Sequence, residues 1–462
     1  MEVEMDEMTT TRSGVSRATG LRASTAVLVV ATAAMWIVTG CAGTPVVDDR
    51  PVVEGFETGN TEGQTVVDQN ALKEFDKAVE LYKAAPRTAV PYGQIEAQLK
   101  KALQIDANFA RAYYNLGVLA QMQGKDDEAI TYYQDAYKRD GKSVDPLVNT
   151  AVIFLKRGDE AKANDMFLKA VEIEPFNPAA RNNLAVYYRK QKDYPKAVEN
   201  VRRALAGDSQ SLDAYHSLAR IYFDLDKYVL ARLVCFNALQ FDPTHPGIHN
   251  MLGLIYLKLN NVTLALKEFR LAVEGDPQYD EAHMNIGAIS LSIRDYQTAV
   301  NSFNEVIKRR PKDVDALLSL AVAKRSVGDL DGAMAGYKAV LEVAPEHGPA
   351  YFNIAVMHHE IYAQEAEDPA VAVKHYQDAI ENYRKFLSVD TTAPPEVRKD
   401  ADQRIGNCTK LIQTQDQLKE MLKMQADMER QQAAEEAAAG GTGGGDGDGG
   451  GGDDDGGGDG GQ

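Results

Sequence analysis

Apolar and polar positions recur along this chain with a fixed period, and seven consecutive copies keep the same register. The most regular position is an alanine, present at Ala129, Ala163, Ala197, Ala231, Ala265, Ala299 and Ala333. Four residues later stands a larger apolar side chain: Tyr133, Phe167, Val201, Cys235, Phe269, Phe303 or Tyr337. Because side chains three or four residues apart share one face of a helix, each copy predicts a helix with one buried face.

A second helix precedes this one in every copy. Its mark is a Gly or Ala twelve residues before the alanine, at Gly117, Ala151, Ala185, Ala219, Gly253, Gly287 and Ala321. Between the two helices, equivalent positions hold residues that suit the left-handed backbone ending a helix, namely Gly124, Gly158, Asn260 and Gly328. One copy is therefore a helix–turn–helix unit, which must stack on its neighbours to bury its apolar face.

This repeat resembles the tetratricopeptide repeat, whose family fold is an all-α, right-handed α-solenoid. The resemblance implies an array of about eight repeats over residues 109–393, and the eighth is interrupted by an insertion around Glu365 to Pro369. Residues 70–108 resemble a degenerate N-terminal capping repeat. We therefore expect an all-α fold built from stacked helix pairs.

A long helix is predicted after the array, over residues 394–439, as a C-terminal cap. Its first half carries an apolar stripe that we expect to pack on the last repeat, made of Val397, Ala401, Ile405, Cys408 and Ile412. Apolar residues continue through 411–428, beyond what a cap needs. This part is therefore either an exposed overhang or a contact with a partner or a second copy. The tail, residues 440–462, holds six aspartates and no base, and it predicts disorder.

The N-terminus carries the pattern of an exported protein. An uncharged, mostly apolar stretch ends in Val38, Thr39 and Gly40, directly before Cys41. This junction resembles the lipobox of bacterial lipoproteins. The resemblance implies a signal peptide at residues 1–40, lipidation of Cys41, and a lipidated, flexible tether at residues 41–69. The alternative is an uncleaved signal anchor.

The composition and the motifs argue against several functions. The formal net charge of −18 disfavours a nucleic-acid partner, because phosphates need clustered cations. The chain contains no G-x-x-x-x-G-K-[ST], H-E-x-x-H or G-x-S-x-G run. His358 and His359 are adjacent and would point about 100° apart on a helix, so they are poor joint metal ligands. His249 and His283 stand at a position that suits packing. We predict no enzyme activity, no cofactor and no metal site.

A recurring amide in the first helix of the repeat predicts a peptide-binding groove. Asparagine occupies the sixth helical position in five copies, at Asn115, Asn149, Asn183, Asn285 and Asn353. An amide offers one acceptor and two donors, so a row of amides would hold an extended peptide by its backbone. The alternative is that each asparagine supports its own turn. Arg189, Lys190 and Arg220 add a basic zone that suits an acidic side chain or a carboxylate.

Together these resemblances imply a lipid-anchored protein on the periplasmic face of the outer membrane. Ala42 and Gly43 lack the aspartate that retains lipoproteins in the inner membrane. The layout is similar to the tetratricopeptide-repeat lipoproteins of the myxobacterial gliding-motility complex, so the favoured function is a scaffold for an envelope-spanning machine. The alternatives are an adaptor for peptidoglycan enzymes, or an assembly factor for a type IV pilus secretin or a polysaccharide exporter. The expected partners are the membrane, through the lipid, and envelope proteins held in the groove.

Overall fold

The computed structural model describes residue 56, residues 67–86 and residues 89–440, with side chains to residue 436. Within these ranges the chain is helical and has no strand, so the predicted all-α fold is confirmed. Contacts divide it into an N-terminal unit, Val38–Pro311, and a C-terminal unit whose described part begins at Lys312. The predicted signal peptide, the lipobox, Cys41 and the tail from residue 441 lie outside the described residues.

In its described residues, the N-terminal unit has fourteen helices that follow one another in pairs. They are α1 Gln69–Ala84, α2 Tyr92–Ile105, α3 Ala110–Met122, α4 Asp126–Arg139, α5 Asp145–Lys156, α6 Glu160–Ile173, α7 Pro178–Lys190, α8 Tyr194–Gly207, α9 Leu212–Asp224, α10 Tyr228–Ala238, α11 Pro246–Lys258, α12 Val262–Gly275, α13 Asp280–Ser292 and α14 Tyr296–Arg309. Each odd-numbered helix packs most extensively on the even-numbered helix that follows it. The constant spacing in the sequence therefore corresponds to one helix pair per repeat.

The described part of the C-terminal unit contains two more helix pairs and the long helix. Its elements are α15 Val314–Val327, α16 Leu330–Val343, α17 Gly348–Val356, a π-helical turn at Met357–Tyr362, α18 Ala363–Glu365, α19 Pro369–Val389 and α20 Pro395–Gly440. The insertion predicted around Glu365 to Pro369 thus falls between α18 and α19. It separates the two helices of the eighth pair without preventing their contact, since α17 packs on α19.

The first part of α20 packs on α19. Val397, Ala401 and Cys408 are buried there, as the apolar stripe predicts. Arg404 is also buried, although the stripe did not include it, and its guanidinium forms ion pairs with Asp400 and with Glu360 of the π-helical turn. The cap is therefore held by charge pairing as well as by apolar contact.

The turn between the two helices of a pair has the same left-handed backbone in seven consecutive repeats. Three of these positions are glycines with positive φ, Gly124, Gly158 and Gly328. The other four are not glycines, yet they also have φ between 56° and 65°, and they are Lys192, Asp226, Asn260 and Arg294. All seven occupy the same position of the repeat, one full period apart. The geometry of the repeat thus imposes this conformation even on side chains that disfavour it.

A recurring hydrogen bond ties the loop between repeats to the helix that follows. A side chain near the start of the helix donates to the backbone carbonyl six residues upstream, at 2.7 to 3.3 Å; the donors are Arg181, Tyr215, His249, His283 and Tyr351. We call this contact the loop bond. Its acceptor is a proline carbonyl in every case except that of Tyr215. The two histidines therefore serve packing and loop bonding, in keeping with the sequence interpretation.

The predicted tether contacts the folded body at Phe56. The ring of Phe56 stacks on that of Tyr82 in α1, with ring centroids 4.3 Å apart, and Phe56 is buried. The segment predicted as flexible over residues 41–69 therefore has a fixed point at Phe56, and its last residue already belongs to α1. Along the described part of the chain, no helix combines the length and the apolar character that crossing a bilayer requires.

Candidate functional site

The asparagines predicted to line a groove lie inside the helix packing. The described structure leaves at most 5% of each of them exposed: Asn115, Asn149, Asn183, Asn285 and Asn353. Their amides are therefore not presented at the protein surface. This burial favours the second interpretation of the pattern, in which the asparagine supports the fold, and peptide binding by these residues stays a prediction.

Asn149 and Asn285 illustrate the supporting role. Nδ2 of Asn149 donates to Oη of Tyr114 at 3.0 Å, and Nδ2 of Asn285 donates to Oδ1 of Asn250 at 2.9 Å. In both cases the hydrogen bond joins the first helices of two neighbouring repeats. Asn250 is one residue out of register with the other amides, so the period of the repeat did not reveal it.

Asn353 has a similar environment in the C-terminal unit. Its Oδ1 accepts a hydrogen bond from Arg325 at 3.1 Å, and its Nδ2 donates to the carbonyl of Pro349 at 2.9 Å. The donor and acceptor sides of this amide are both occupied by the protein itself. Asn353 therefore fixes the position of α17 against α15.

Two arginines of the predicted basic zone form ion pairs inside the protein. Arg189 lies 2.7 Å from Oδ2 of Asp224, and Arg220 lies 3.0 Å from Oδ1 of the same carboxylate. Arg189 is buried, whereas Lys190 beside it is exposed. The two arginines and the aspartate together carry one net positive charge, and they link α7 to α9. The zone therefore holds two repeats together and offers Lys190 to the solvent.

The most distinctive exposed surface of the N-terminal unit lies on α10 and the turn after it. Five large apolar side chains are between 43% and 62% exposed there: Val229, Leu230, Leu233, Phe236 and Phe241. We call these five residues the α10 patch. The inner face of the same helix is buried through Ala231, Cys235 and Ala238. The helix is thus apolar on both its core side and its solvent side, which is typical of a surface that another molecule covers.

The positions of Leu233 and Phe236 are polar in the neighbouring repeats. At the place of Leu233, the other six copies hold Thr131, Asp165, Glu199, Lys267, Asn301 and Ala335. At the place of Phe236, the repeats on either side hold Arg202 and Arg270. The constant positions of the repeat do not reveal the α10 patch, because the patch lies on positions that vary from copy to copy. A comparison of the solvent-facing positions from copy to copy would have found it.

A second exposed apolar stretch lies on α20. Beyond the packed part of the helix, Leu418, Met421, Leu422, Met424 and Met428 are all more than 40% exposed. In the isolated chain, this part of α20 is therefore exposed, which agrees with the predicted overhang. The partner contact predicted for residues 411–428 stays a prediction.

One cluster of metal-ligand side chains occurs among the described residues. Nδ1 of His358 lies 3.1 Å from Nδ1 of His375 and 3.8 Å from Oδ2 of Asp378. His359 is turned away from this cluster and is buried beside Tyr376 and Tyr383. The adjacent histidines are thus separated as the sequence analysis expected, but His358 meets a second histidine from another helix.

Family models of the tetratricopeptide repeat match residues 110–143, 166–199, 246–279 and 290–347. Among curated proteins, the chain is 34% identical over 89 residues to the photosystem I assembly protein Ycf3 of Prochlorococcus marinus (strain NATL1A), which covers 18% of this chain and 51% of the relative. The chain thus spans about half the length of the curated relatives it matches.

Two solved structures also show similarity to this chain. Yeast Tom70 is 16% identical with a TM-score of 0.47, over 79% of this chain and 72% of that chain. PilW, described as a widely conserved type IV pilus biogenesis factor, is 18% identical with a TM-score of 0.41, over 48% of this chain and 100% of that chain. The matched family models span repeats in both units of the chain.

Proposed function

We propose that this tetratricopeptide-repeat protein is a lipid-anchored scaffold on the periplasmic face of the outer membrane, with no catalytic activity of its own. Its role is to hold protein partners of an envelope-spanning machine, and gliding motility is the machine we favour. The lipobox-like run Val38-Thr39-Gly40-Cys41 supports the anchor. The repeat array supports the scaffold, because stacked helix pairs offer extended surfaces for other proteins.

The α10 patch is the observation that carries the binding role. Exposed apolar groups cost free energy in water, and a contiguous patch of them marks a surface that associates with another molecule. Aromatic residues such as Phe236 and Phe241 are typical of the centre of protein interfaces. We therefore assign the primary partner-binding surface to α10 rather than to the buried amides.

The charges around the patch indicate the chemistry of its partner. From Lys227 to Phe241 the chain carries two cations, Lys227 and Arg232, and no acid, in a protein with a formal net charge of −18. An amphipathic helix with an apolar stripe and acidic flanks would complement this surface. We propose that such a segment of an envelope protein docks on α10.

The contact of Phe56 with Tyr82 limits how far the anchor allows the body to move. Phe56 follows Cys41 by fifteen residues. Fully extended, this segment reaches about 50 Å, compared with about 90 Å for the whole segment that the sequence predicted as a tether. In the proposed arrangement, the point at which Phe56 contacts the body therefore stays within this distance of the lipid leaflet.

The binding role is tested with a variant built from the residues of the next repeat. In Val229→Thr/Leu233→Lys/Phe236→Arg, each new side chain is the one at the equivalent position one period later, namely Thr263, Lys267 and Arg270. Partners are crosslinked to the lipidated protein in native membranes and identified by mass spectrometry. We expect the variant to keep its helicity and to lose the partners that the wild type captures. Unchanged capture would exclude the α10 patch as the binding surface.

The identity of the captured proteins separates the candidate functions. Recovery of motor-linked or β-barrel envelope proteins, with loss of surface movement in the variant, would support the gliding-motility machine. Recovery of peptidoglycan enzymes, a pilus secretin or an exporter would support one of the alternatives instead. Lys267→Glu, on the equivalent face of the next repeat, serves as the matched control and should capture the same partners as the wild type.

The anchor is tested separately. Cys41→Ala removes the only residue that could accept the lipid at this junction, so the protein should leave the outer-membrane fraction and keep its signal uncleaved. Normal fractionation of this variant would contradict the lipoprotein assignment while leaving the α10 experiment unaffected.

A further inference from the structure

The π-helical turn Met357–Tyr362 brings together side chains that are distant in the sequence. A π turn carries an extra residue compared with an α-helical turn, and such turns occur often at functional sites. Here the turn presents His358 toward α19, where His375 and Asp378 are three residues apart and share one face. The potential ligand atoms of the three side chains all lie within 4.8 Å of one another.

The spacing of these atoms fits a small tetrahedral ion. Zinc binds imidazole nitrogen and carboxylate oxygen at about 2.0 to 2.2 Å, which places two ligand atoms of a tetrahedron about 3.3 Å apart. The observed separations from Nδ1 of His358 are 3.1 Å to His375 and 3.8 Å to Asp378. Small side-chain rotations would therefore complete the geometry without a change of backbone.

The types of ligand also select the ion. Calcium and magnesium prefer oxygen ligands, whereas two imidazoles and one carboxylate suit zinc with a fourth position left for water. The side chains of His358 and Asp378 are 18% and 36% exposed, so solvent can supply that water. We propose that His358, His375 and Asp378 form a Zn²⁺ site with one open coordination position.

The charges around the cluster are compatible with a divalent cation. Burial lowers the pKa of His358, and Asp378 opposes this effect, while His375 and Lys338 lower the pKa further. Asp378 contributes a negative charge to offset the ammonium group of Lys338. Without an ion, the two imidazoles share one hydrogen bond, which requires one Nδ1 to donate and the other to accept.

Zinc at this site would connect the two sides of the insertion in the eighth repeat. His358 precedes the short helix α18, whereas His375 and Asp378 follow it on α19. The ion would therefore close the segment between Tyr362 and Pro369 into a loop with fixed ends. Because the folded state alone assembles these three ligands, zinc should raise the stability of the C-terminal unit.

The proposal is tested by zinc binding to the lipidated full-length protein, purified in detergent with a tag that contains no histidine and stripped by a chelator. Isothermal titration with Zn²⁺ should give one site per chain, and Co²⁺ should give the visible absorption of four-coordinate cobalt. His375→Ala should lower the Zn²⁺ affinity at least 100-fold and Asp378→Asn at least 10-fold. The midpoint of thermal unfolding should rise with Zn²⁺ in the wild type but not in His375→Ala.

Two controls keep the outcome clear. His245→Asn removes an imidazole that caps α11, and asparagine is itself a good cap, so this variant should bind zinc like the wild type. If His375→Ala loses helicity, His375→Gln replaces it as the test. Absence of zinc binding in the wild type, or equal affinity in wild type and the His375 variant, would overturn the proposal. Neither result bears on the α10 patch, which belongs to a different unit.

Discussion

Nδ1 of His249 lies 2.7 Å from Oε2 of Glu268, and both side chains are buried between α11 and α12. The other ring nitrogen, Nε2, lies 2.9 Å from the carbonyl oxygen of Pro243. Both nitrogens thus face acceptors, and only the doubly protonated ring can donate to both. In the next repeat, His283 keeps the loop bond to Pro277, but Ser302 stands where Glu268 would be.

This pair should make stability depend on pH. Burial lowers the pKa of His249, but the hydrogen bonds with Glu268 and Pro243 outweigh it, so the pKa lies above its ordinary value. A raised pKa in the folded state gives stabilisation that is complete below pH about 6.5 and is lost as the pH rises through the folded pKa. Glu268→Gln should therefore lower the free energy of unfolding by about 1–2 kcal/mol at pH 6, and by less at higher pH.

Urea unfolding of both proteins between pH 5.5 and pH 8.5, followed by circular dichroism, measures this difference. Ser302→Ala, at the equivalent position of the next repeat, should leave the pH dependence as in the wild type. A deficit of Glu268→Gln that stays constant across the range would show that the His249 charge contributes nothing.

The close approach of α11 and α12 should not tolerate a methyl group at Gly253. A Cβ on Gly253 would lie 2.5 Å from Cε1 of Phe269, well inside van der Waals contact. Gly253→Ala should lower the free energy of unfolding by about 1–3 kcal/mol, because the buried ring must move. Gly406→Ala serves as the contrast, since a Cβ there meets nothing within 4 Å in the middle of α20. It should be neutral or stabilise by up to about 1 kcal/mol. Thermal unfolding of the two variants measures whether their changes in stability have these opposite signs.

The left-handed turns that lack glycine should offer sites for stabilisation. Lys192 and Arg294 have φ of 59° and 65°, a conformation that disfavours any side chain. Lys192→Gly and Arg294→Gly should each raise the free energy of unfolding by about 0.5–1 kcal/mol, after the greater freedom of glycine in the unfolded chain is counted. Gly158→Ala should have the reverse effect, because Gly158 has φ of 80°. Lower stability of both glycine variants would mean that their side chains contribute more than the strain costs.

The buried amides should affect stability before they affect binding. Asn149→Ala removes the hydrogen bond to Tyr114 and leaves that hydroxyl without this partner, so we expect a loss of about 1–3 kcal/mol. Asn301→Ala, at an exposed position, should change stability by less than about 0.5 kcal/mol. Chemical unfolding and partner capture are measured on the same samples. A variant that keeps full stability but loses a partner would restore the peptide-groove hypothesis.

The fixed period of the sequence predicted the helix pairs, because every copy repeats the same constraints on packing and turning. It could not show which way Asn149 points. Neighbouring repeats cover both sides of a first helix, so the spacing of its residues does not separate a buried face from an exposed one. It also could not predict that His375 approaches His358. That contact depends on a π turn and on an insertion, and neither leaves a periodic mark in the sequence. Departures from the repeat, such as Leu233, are visible in the sequence but have meaning only once the solvent-facing positions are known.

Within the N-terminal unit, each helix packs mainly on helices no more than two positions away along the chain. None of the extensive contacts in this described part bypasses a repeat, so a pulling force along the unit would pass through the repeat interfaces in series. The weakest interface would then yield first, and the others would stay folded. A scaffold built in this way would lengthen in steps under load.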